Sequence, residues 1–223
     1  PLQGVAGYIT PPREYFSVVA EIVRNYGGIF ISDEVQTAWG RTGGRWFGIE
    51  HWDVVPDVIT SAKGLANGLP IGVTVATPEV ANSVRGLTIS TFGGNPVAAT
   101  AAHAVLEFIE ENALAANAAE TGAYLRECLL ELQEKHEIVG DVRGMGLLQA
   151  IELVQDRKTK VPAPAAANCV LEAARENGLL VGKGGLHGNV IRISPPLNIS
   201  RADVDEFTRL LDASLARANA LGA

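Results

Sequence analysis

The first half of the sequence predicts an α/β fold with a mainly parallel sheet, and two features indicate it. Short, continuous apolar runs are typical of strands that are buried on both faces. Segments with helical periodicity and glycine-rich turns separate these runs, as in chains that build a parallel sheet. The three runs are GIFIS at 28–32, DVITSA at 57–62 and GVTVA at 72–76.

Three helices can be placed from their apolar spacing and their ends. The first is predicted over 13–26, where two glycines end the periodic pattern as a C-terminal cap should. Asn95 is a good N-cap and Pro96 a good first helical residue, so the next helix should run to about Glu111. A third helix is predicted over 114–135.

The second half changes character and predicts a small α+β domain. We interpret its segments as strand, helix, strand, strand and helix, and DVRGMGLLQAIELV supplies the first strand. Ser200 is the N-cap of the last helix, with Asp203 as the acid of a capping box. The chain is therefore predicted to hold part of a large sheet domain and a small domain, divided near residue 113 into 1–113 and 114–223.

The composition excludes several kinds of partner. The chain has 223 residues, of which 47% are hydrophobic, and this is enough for a sizeable core. Eighteen basic residues stand against 25 acidic ones, the net charge is −7, and no lysine–arginine cluster is present. We therefore expect no nucleic acid and no membrane as a partner. No apolar run reaches the roughly 18 residues of a spanning helix, so a soluble protein is predicted.

The cysteines and histidines do not predict a metal site. Cys128 and Cys169 are far apart in helical sequence, and the four histidines have no metal-ligand spacing. Two reduced thiols favour a reducing compartment, so an intracellular, cytoplasmic location is predicted. The chain begins at Pro1 without a methionine, so we expect the true N-terminus to lie elsewhere, and a mitochondrial location stays open.

Two charged residues stand at the predicted carboxyl ends of strands. GIFIS leads to Asp33 and DVITSA to Lys63, and ligands bind at this edge of open α/β sheets. Their separation of 30 positions (63 − 33) allows a crossover to a neighbouring parallel strand. One interpretation is a buried ion pair, which stabilises a fold weakly. The other is a desolvated lysine that forms a Schiff base beside a carboxylate that holds a cationic nitrogen, which suits pyridoxal phosphate.

Two further segments, STFGGNPVA and the strand that contains Arg192, could bind anions, and a third segment can be excluded. STFGGNPVA (90–98) combines a hydroxyl, two glycines and a helix N-terminus, which suits a phosphate, while Thr91 or Asn95 could equally serve as an ordinary cap. VGKGGLHG (181–188) lacks both the spacing and the Ser or Thr of a P-loop, so that motif is excluded. Arg192 lies in a short apolar strand, where it could pair with a structural carboxylate or hold a substrate carboxylate.

Four segments, in this order and spacing, resemble the class III (ω-type) pyridoxal-phosphate aminotransferases of fold type I. They are SDEVQTAWGRTG, ITSAKGLANGLPIG, STFGGNPVA and VIRISPPL, and the similarity covers essentially the whole chain. The opening GYITPPREYF and the RISPPL run are most similar to the alanine–glyoxylate aminotransferase subgroup. The resemblance implies pyridoxal 5'-phosphate as cofactor and amino transfer from an amino acid or ω-amine to a keto acid such as pyruvate or glyoxylate.

The resemblance also implies roles for single residues. Lys63 matches the lysine that forms the Schiff base and shuttles the proton, and Asp33 matches the acid that pairs with the pyridine nitrogen. Val35 matches the aliphatic residue on one ring face, and Gln36 the residue beside the ring hydroxyl. Thr91 matches the threonine that reaches the phosphate of the neighbouring subunit's cofactor, so a homodimer with shared active sites is implied.

Arg192 matches the arginine that holds the substrate α-carboxylate. The chain departs from the family pattern at Ala38, where glycine is usual, and in length, because members are about twice as long. It begins inside the EPxQG motif, so we expect a fragment that is inactive alone. Racemase, aminomutase and phospho-lyase chemistry of the same family remain alternatives, as does a non-catalytic truncated remnant.

Overall fold

A computed structural model describes residues 1–222, which form two compact units. The first unit contains Pro1 and Pro11–Ala115. The second contains Leu2–Thr10 and the chain from Ala116 onward. We call Leu2–Thr10 the strap, because it joins a unit whose other residues lie far along the chain.

The first unit is built around a three-stranded sheet. In chain order its elements are α1 (Tyr15–Asn25), β1 (Ile31–Asp33), a 3₁₀ helix (Gly48–Trp52), β2 (Val58–Ser61), a second 3₁₀ helix (Lys63–Ala66), β3 (Val73–Ala76), α2 (Pro78–Ser83) and α3 (Pro96–Glu111). The strand order is β1-β2-β3, with β1 parallel to β2 and β3 antiparallel to it. The first pair therefore has the predicted parallel arrangement, and the third strand reverses.

One face of β1 is covered and the other is open. Phe30, Ser32 and Glu34 are buried, whereas Ile29 and Ile31 are more than half exposed. The prediction of a strand buried on both faces is therefore wrong for this run, because the described residues cover only one of its two faces.

The second unit combines an antiparallel sheet with three long helices. Its elements are α4 (Leu114–Lys135, whose first two residues belong to the first unit), β4 (Val139–Met145), β5 (Leu148–Leu153), α5 (Pro164–Glu176), β6 (Gly182–Gly184), β7 (Val190–Ile193) and α6 (Arg201–Gly222). The strand order is β4-β5-β7-β6, and every neighbouring pair is antiparallel. The apolar core joins side chains of α4, α5 and α6 to those of the sheet, among them Ile151, Leu153, Ile191 and Ile193.

The segment DVRGMGLLQAIELV forms a hairpin. It supplies most of β4 and all of β5, and Gly146 has a φ of 52° in the turn between them. Gly144, with a φ of 135°, lies so close to β5 that an added Cβ would be 2.0 Å from the Leu148 carbonyl oxygen. The prediction of one continuous strand is wrong, because the backbone reverses at glycines whose conformation other residues rarely adopt.

Two predicted helix caps are confirmed. The Asn95 side chain accepts a hydrogen bond from the Ala98 N–H at 3.0 Å. The Ser200 hydroxyl accepts from the Asp203 N–H at 3.2 Å, and the Asp203 carboxylate accepts from the Ser200 N–H at 2.9 Å, which completes a capping box. The domain boundary near residue 113 remains a prediction.

The strap is tied to the second unit by hydrogen bonds to its backbone. Arg143 of β4 donates from Nε to the Gly7 carbonyl at 2.7 Å. The N–H of Gly185, directly after β6, donates to the Val5 carbonyl at 3.0 Å. These bonds fix the strap to two different parts of the second unit.

Candidate active site

Asp33 and Lys63 leave the same edge of the sheet in the first unit. Asp33 is the last residue of β1 and pairs with Thr60 of β2 in the parallel register. Lys63 follows Thr60 by three positions and begins the second 3₁₀ helix. Both residues therefore lie where parallel strands end, which is the edge that binds ligands in open α/β sheets.

The Asp33 carboxylate has an acceptor oxygen to offer. Its Oδ1 accepts the N–H of Val35 at 3.0 Å, which fixes the turn after β1. Within residues 1–222, Oδ2 has no hydrogen-bond partner, and the side chain is exposed. A carboxylate held in this way can accept a hydrogen bond from a cationic ring nitrogen.

The backbone of Lys63 is strained. Its φ is +43°, in the left-handed region, which costs a residue with a side chain about 1–2 kcal/mol. Strained residues of this kind are concentrated at functional sites. Lys63 is exposed, so the expectation of a desolvated lysine is wrong for this chain. In the part of the chain that the structure describes, Nζ makes no ion pair with Asp33, so the structural interpretation of the two charges has no support.

The turn that begins at Lys63 is supported by a small buried apolar cluster. Leu65 and Ala66 are buried against Ala102 of α3, and Trp39 packs against this cluster. A Cβ added at Gly64 would lie 4.0 Å from Trp39 Cδ1, so the indole reaches the residue next to Lys63. Trp39 thus belongs to the support of the lysine, a role that was not predicted from the sequence.

Glu34 is a second residue whose role was not predicted. Its carboxylate is fully buried and accepts the backbone N–H groups of Gly48 and Ile49 at 2.9 and 2.7 Å. The hydroxyls of Ser32 and Thr37 also donate to it. The Glu34 carboxylate therefore ties the start of the first 3₁₀ helix to the turn directly after β1. A signal was present, because Phe30, Ser32 and Glu34 alternate along the strand, and alternate residues share a face.

The other predicted site residues lie in different parts of the structure. Val35 and Gln36 are half-buried in the turn directly after Asp33. Thr91 is exposed, in the stretch between α2 and α3 that has no regular structure. The structure thus brings Asp33, Val35, Gln36 and Lys63 together at one edge of the sheet.

Arg192 belongs to the second unit and lies in β7. Its Nη2 donates to the Tyr8 hydroxyl of the strap at 3.1 Å, and its guanidinium carbon lies 4.9 Å from the centre of the Tyr8 ring. Its neighbours across the sheet are Ala150 of β5 and Gly182 of β6. The arginine is half-buried and held by aromatic and strand contacts.

The chain matches one known protein family over most of its length. The model for class-III aminotransferases matches residues 1–215. The chain belongs to the class III aminotransferase family. Pyridoxal phosphate is the cofactor of this family.

Curated relatives match nearly the whole chain. "Alanine--glyoxylate aminotransferase 2 homolog 2, mitochondrial" of Arabidopsis thaliana is 48% identical over 217 residues, covering 97% of this chain and 45% of that protein. The Homo sapiens "Alanine--glyoxylate aminotransferase 2, mitochondrial" is 40% identical, with 97% and 43% covered. A "Leucine/methionine racemase" from Thermococcus litoralis is 45% identical, with 97% and 48% covered. The chain spans about half the length of the curated relatives it matches.

Solved structures share the fold. A transaminase from the marine bacterium Virgibacillus has a TM-score of 0.94 at 37% identity, covering 99% of this chain and 52% of its own. A phospholyase from Arthrobacter, in complex with phosphoethanolamine, has a TM-score of 0.93 at 37% identity, with 97% and 52% covered. An amine transaminase from an uncultivated Pseudomonas species, described as PLP-bound, has a TM-score of 0.91 at 37% identity, with 98% and 51% covered. The chain therefore has the fold of the type I transaminases.

The residues at the sheet edge fit pyridoxal phosphate. An exposed lysine on a strained turn offers an amine to an aldehyde, and an exposed carboxylate with an available oxygen offers an acceptor to a pyridinium nitrogen. Among residues 1–222, no cluster of His, Cys, Asp and Glu could hold a metal ion. Over the same range, no helix has the length and apolar character that a bilayer crossing requires.

Proposed function

We propose that the complete protein is a pyridoxal-phosphate-dependent aminotransferase. It would move an amino group from an amino acid or ω-amine to a keto acid such as pyruvate or glyoxylate. The observation that carries the proposal is the pair at one sheet edge, Asp33 with an available carboxylate oxygen and Lys63 on a strained, well-supported turn. The alanine–glyoxylate aminotransferases among the relatives support the choice of keto acids.

Each residue of the mechanism has one role. When bound, pyridoxal phosphate supplies an electron sink for the pair of electrons that the substrate Cα–H bond leaves behind. The Lys63 amine takes the proton from Cα of the donor and, in the second half of the reaction, returns a proton to Cα of the product. Asp33 keeps a proton on the pyridine nitrogen by accepting its hydrogen bond.

Three further residues orient the reactants in this proposal. Val35 packs on one face of the cofactor ring, and Gln36 lies beside the ring hydroxyl. Arg192 holds the α-carboxylate of the substrate through a bidentate pair, which fixes the direction in which the Cα–H bond points. Amino acids and keto acids are therefore the small-molecule partners.

Racemisation is a second candidate reaction for the protein, because one of its relatives is a racemase. The racemase from Thermococcus litoralis is 45% identical, which is within the range of the aminotransferase relatives. Both reactions remove a proton from Cα, so Lys63 and Asp33 have the same roles in each. Formation of one keto acid for each amino acid consumed distinguishes transfer from racemisation, which yields none. Phospho-lyase and aminomutase chemistry are separated from transfer by the same measurement.

Borohydride reduction tests the cofactor and the lysine together. Incubation with pyridoxal phosphate, reduction and peptide mapping should place a covalent pyridoxyl label on Lys63. The variant Lys63→Ala should carry no label, and Lys183→Ala should keep it, because Lys183 is occupied with Asn168 in the second unit. A wild-type protein that acquires no label, or labels only other lysines, would contradict the proposed function.

We further propose a homodimer with shared active sites. The stretch between α2 and α3 carries large apolar side chains that are almost fully exposed, including Leu87, Ile89 and Phe92. Contiguous exposed apolar residues are typical of an interaction surface. Thr91 lies within this stretch, where it would contact the phosphate of the partner subunit's cofactor.

An intracellular location, cytoplasmic or mitochondrial, completes the proposal. Cys128 and Cys169 are both free thiols, as expected in a reducing compartment. Two of the aminotransferase relatives are named as mitochondrial, which favours the second location.

A further inference from the structure

We propose that Tyr8 is a positioning residue that fixes the Arg192 guanidinium and thereby commits the site to substrates that carry a carboxylate. The inference rests on the proposed function. Its starting point is a double contact, in which Arg192 Nη2 donates to the Tyr8 hydroxyl at 3.1 Å while the guanidinium carbon lies 4.9 Å from the ring centre. A cation held by both the edge hydroxyl and the π-system of one ring has few rotamers left.

Tyr8 can act as a fixed point because it is itself held. Its side chain is 1% exposed, and its hydroxyl forms a hydrogen bond with the Ser194 hydroxyl. Its backbone has a left-handed φ of 55°, an unusual conformation for a bulky residue. Arg143 fastens the preceding residue, Gly7, through its carbonyl.

The stem of Arg192 is confined as well. Arg192 pairs across the sheet with Gly182, and its side chain runs along the glycine strand β6 toward Gly184. A Cβ at Gly184 would lie 2.6 Å from Arg192 Cδ, so the arginine occupies the space that a side chain would fill. The VGKGGLHG segment therefore has a structural role, because its glycines leave a groove for an arginine.

A guanidinium that is oriented before the substrate arrives loses little conformational entropy on binding. Ordering a long side chain on binding costs about a three- to tenfold loss of affinity. Tyr8 removes that cost for every ligand that brings a carboxylate, whether amino donor or keto acid. An amine without a carboxylate gains nothing from the oriented guanidinium, so carboxylate-bearing substrates are favoured over such amines in both halves of the reaction.

A double-mutant cycle on a non-reacting ligand tests this role. Propionate carries a carboxylate and no amino or keto group, and its dissociation constant can be measured by calorimetry on the intact protein loaded with pyridoxal phosphate. Tyr8→Phe should weaken propionate binding about three- to tenfold. Arg192→Gln should weaken it more than tenfold. Adding Tyr8→Phe to Arg192→Gln should produce no further loss, because Tyr8 acts through the arginine.

The second unit offers a matched control. The guanidinium carbon of Arg201 lies 4.6 Å from the centre of the Tyr124 ring. The Tyr124 hydroxyl also donates a hydrogen bond, to Asp205 Oδ1 at 2.5 Å. Tyr124→Phe removes the same group from a similar contact and should leave the dissociation constant for propionate unchanged. Ser194→Ala, which leaves Tyr8 and Arg192 in place and removes the partner of the phenol, should weaken propionate binding about two- to threefold.

The outcomes separate the two proposals. An equal loss from Tyr8→Phe with and without Arg192 would overturn the positioning role, as would propionate binding that Tyr8→Phe leaves unchanged. A dissociation constant for propionate that Arg192→Gln leaves unchanged would also overturn it. None of these results affects the borohydride label on Lys63, whereas absence of that label contradicts the proposed function itself.

Discussion

Two glycines of β6 differ in what an added methyl group would meet. At Gly184 a Cβ would lie 2.7 Å from the Val5 carbonyl of the strap, in addition to its clash with Arg192. At Gly182 the nearest atoms, both of Arg192, would be 3.6 Å away, an ordinary contact. Neither glycine has a left-handed φ, so the two positions form a matched pair.

Gly184→Ala should therefore destabilise the protein, while Gly182→Ala should not. The backbone oxygen of Val5 cannot move without shifting the strap, so we expect Gly184→Ala to lower the free energy of unfolding by about 1–3 kcal/mol. Gly182→Ala should leave it unchanged or raise it by up to about 1 kcal/mol, because alanine has less freedom in the unfolded chain. Urea unfolding curves measure both, and equal effects would contradict the close approach of the strap.

The site residues show what a sequence can and cannot specify. Asp33 and Lys63 were predictable, because each directly follows an apolar strand and strand ends lie at one edge of a sheet. The contact between Arg192 and Tyr8 was not predictable, because the two residues are 184 positions apart and no local pattern joins them. The exposure of Lys63 also escaped prediction, since burial depends on which faces the rest of the fold covers.

At the scale of elements, Asp57 joins α1 to the two parallel strands. Its Oδ2 accepts the Phe30 N–H at 2.8 Å, directly before β1, and Arg24 of α1 donates to its Oδ1 at 3.2 Å. The backbone N–H of Phe30, and then the Arg24 guanidinium, lower the pKa of Asp57 from its ordinary value of 3.8. Arg24 also donates to the Val55 carbonyl at 2.6 Å, which strengthens the junction.

The depressed pKa gives Asp57→Asn a pH-dependent effect. A carboxylate with a lowered folded-state pKa stabilises the fold above its unfolded-state pKa, and this contribution is lost as the pH falls through the folded-state value. We expect Asp57→Asn to cost about 1 kcal/mol at pH 7, from the loss of a charge-assisted hydrogen bond. The difference from wild type should shrink as the pH falls below 3.8. Unfolding measured at pH 7, 5 and 3 would contradict this account if the difference stayed constant.

The ends of elements were more predictable than their pairing. Caps at Asn95 and Ser200 depend on hydrogen bonds within three residues, so the local sequence specifies them. The β4–β5 hairpin was missed because its two strands form one apolar run in the sequence, and only the backbone conformation of Gly144 and Gly146 reveals the reversal. The antiparallel direction of β3 was missed for a similar reason, because an apolar strand carries no sign of its direction.

At the scale of the whole molecule, the proposed homodimer predicts a response to charge at the exposed stretch before α3. Phe92 is 81% exposed, so Phe92→Asp should leave the fold of one subunit intact. A carboxylate buried at the dimer interface would weaken association about thirtyfold or more. Sedimentation equilibrium should therefore detect dimers of wild-type protein and monomers of the variant.

Val161→Asp is the control, because Val161 is also an exposed apolar residue and lies outside that stretch. It should leave the dimer intact. Monomeric wild-type protein, or a Phe92→Asp variant that associates as strongly as wild type, would contradict the use of this surface for dimerisation.

The strap has a consequence for the order of events during synthesis. The ribosome makes Tyr8 long before Ser194, its partner 186 residues later. At a synthesis rate of roughly 5–20 residues per second, the strap waits on the order of 10–40 s for that partner. During this interval the apolar ring of Tyr8 is available to other contacts, including contacts with chaperones that hold nascent chains. The second unit thus reaches its final state only after Ser194 has been synthesised, whereas α1 and the β1–β2 pair can form well before that point.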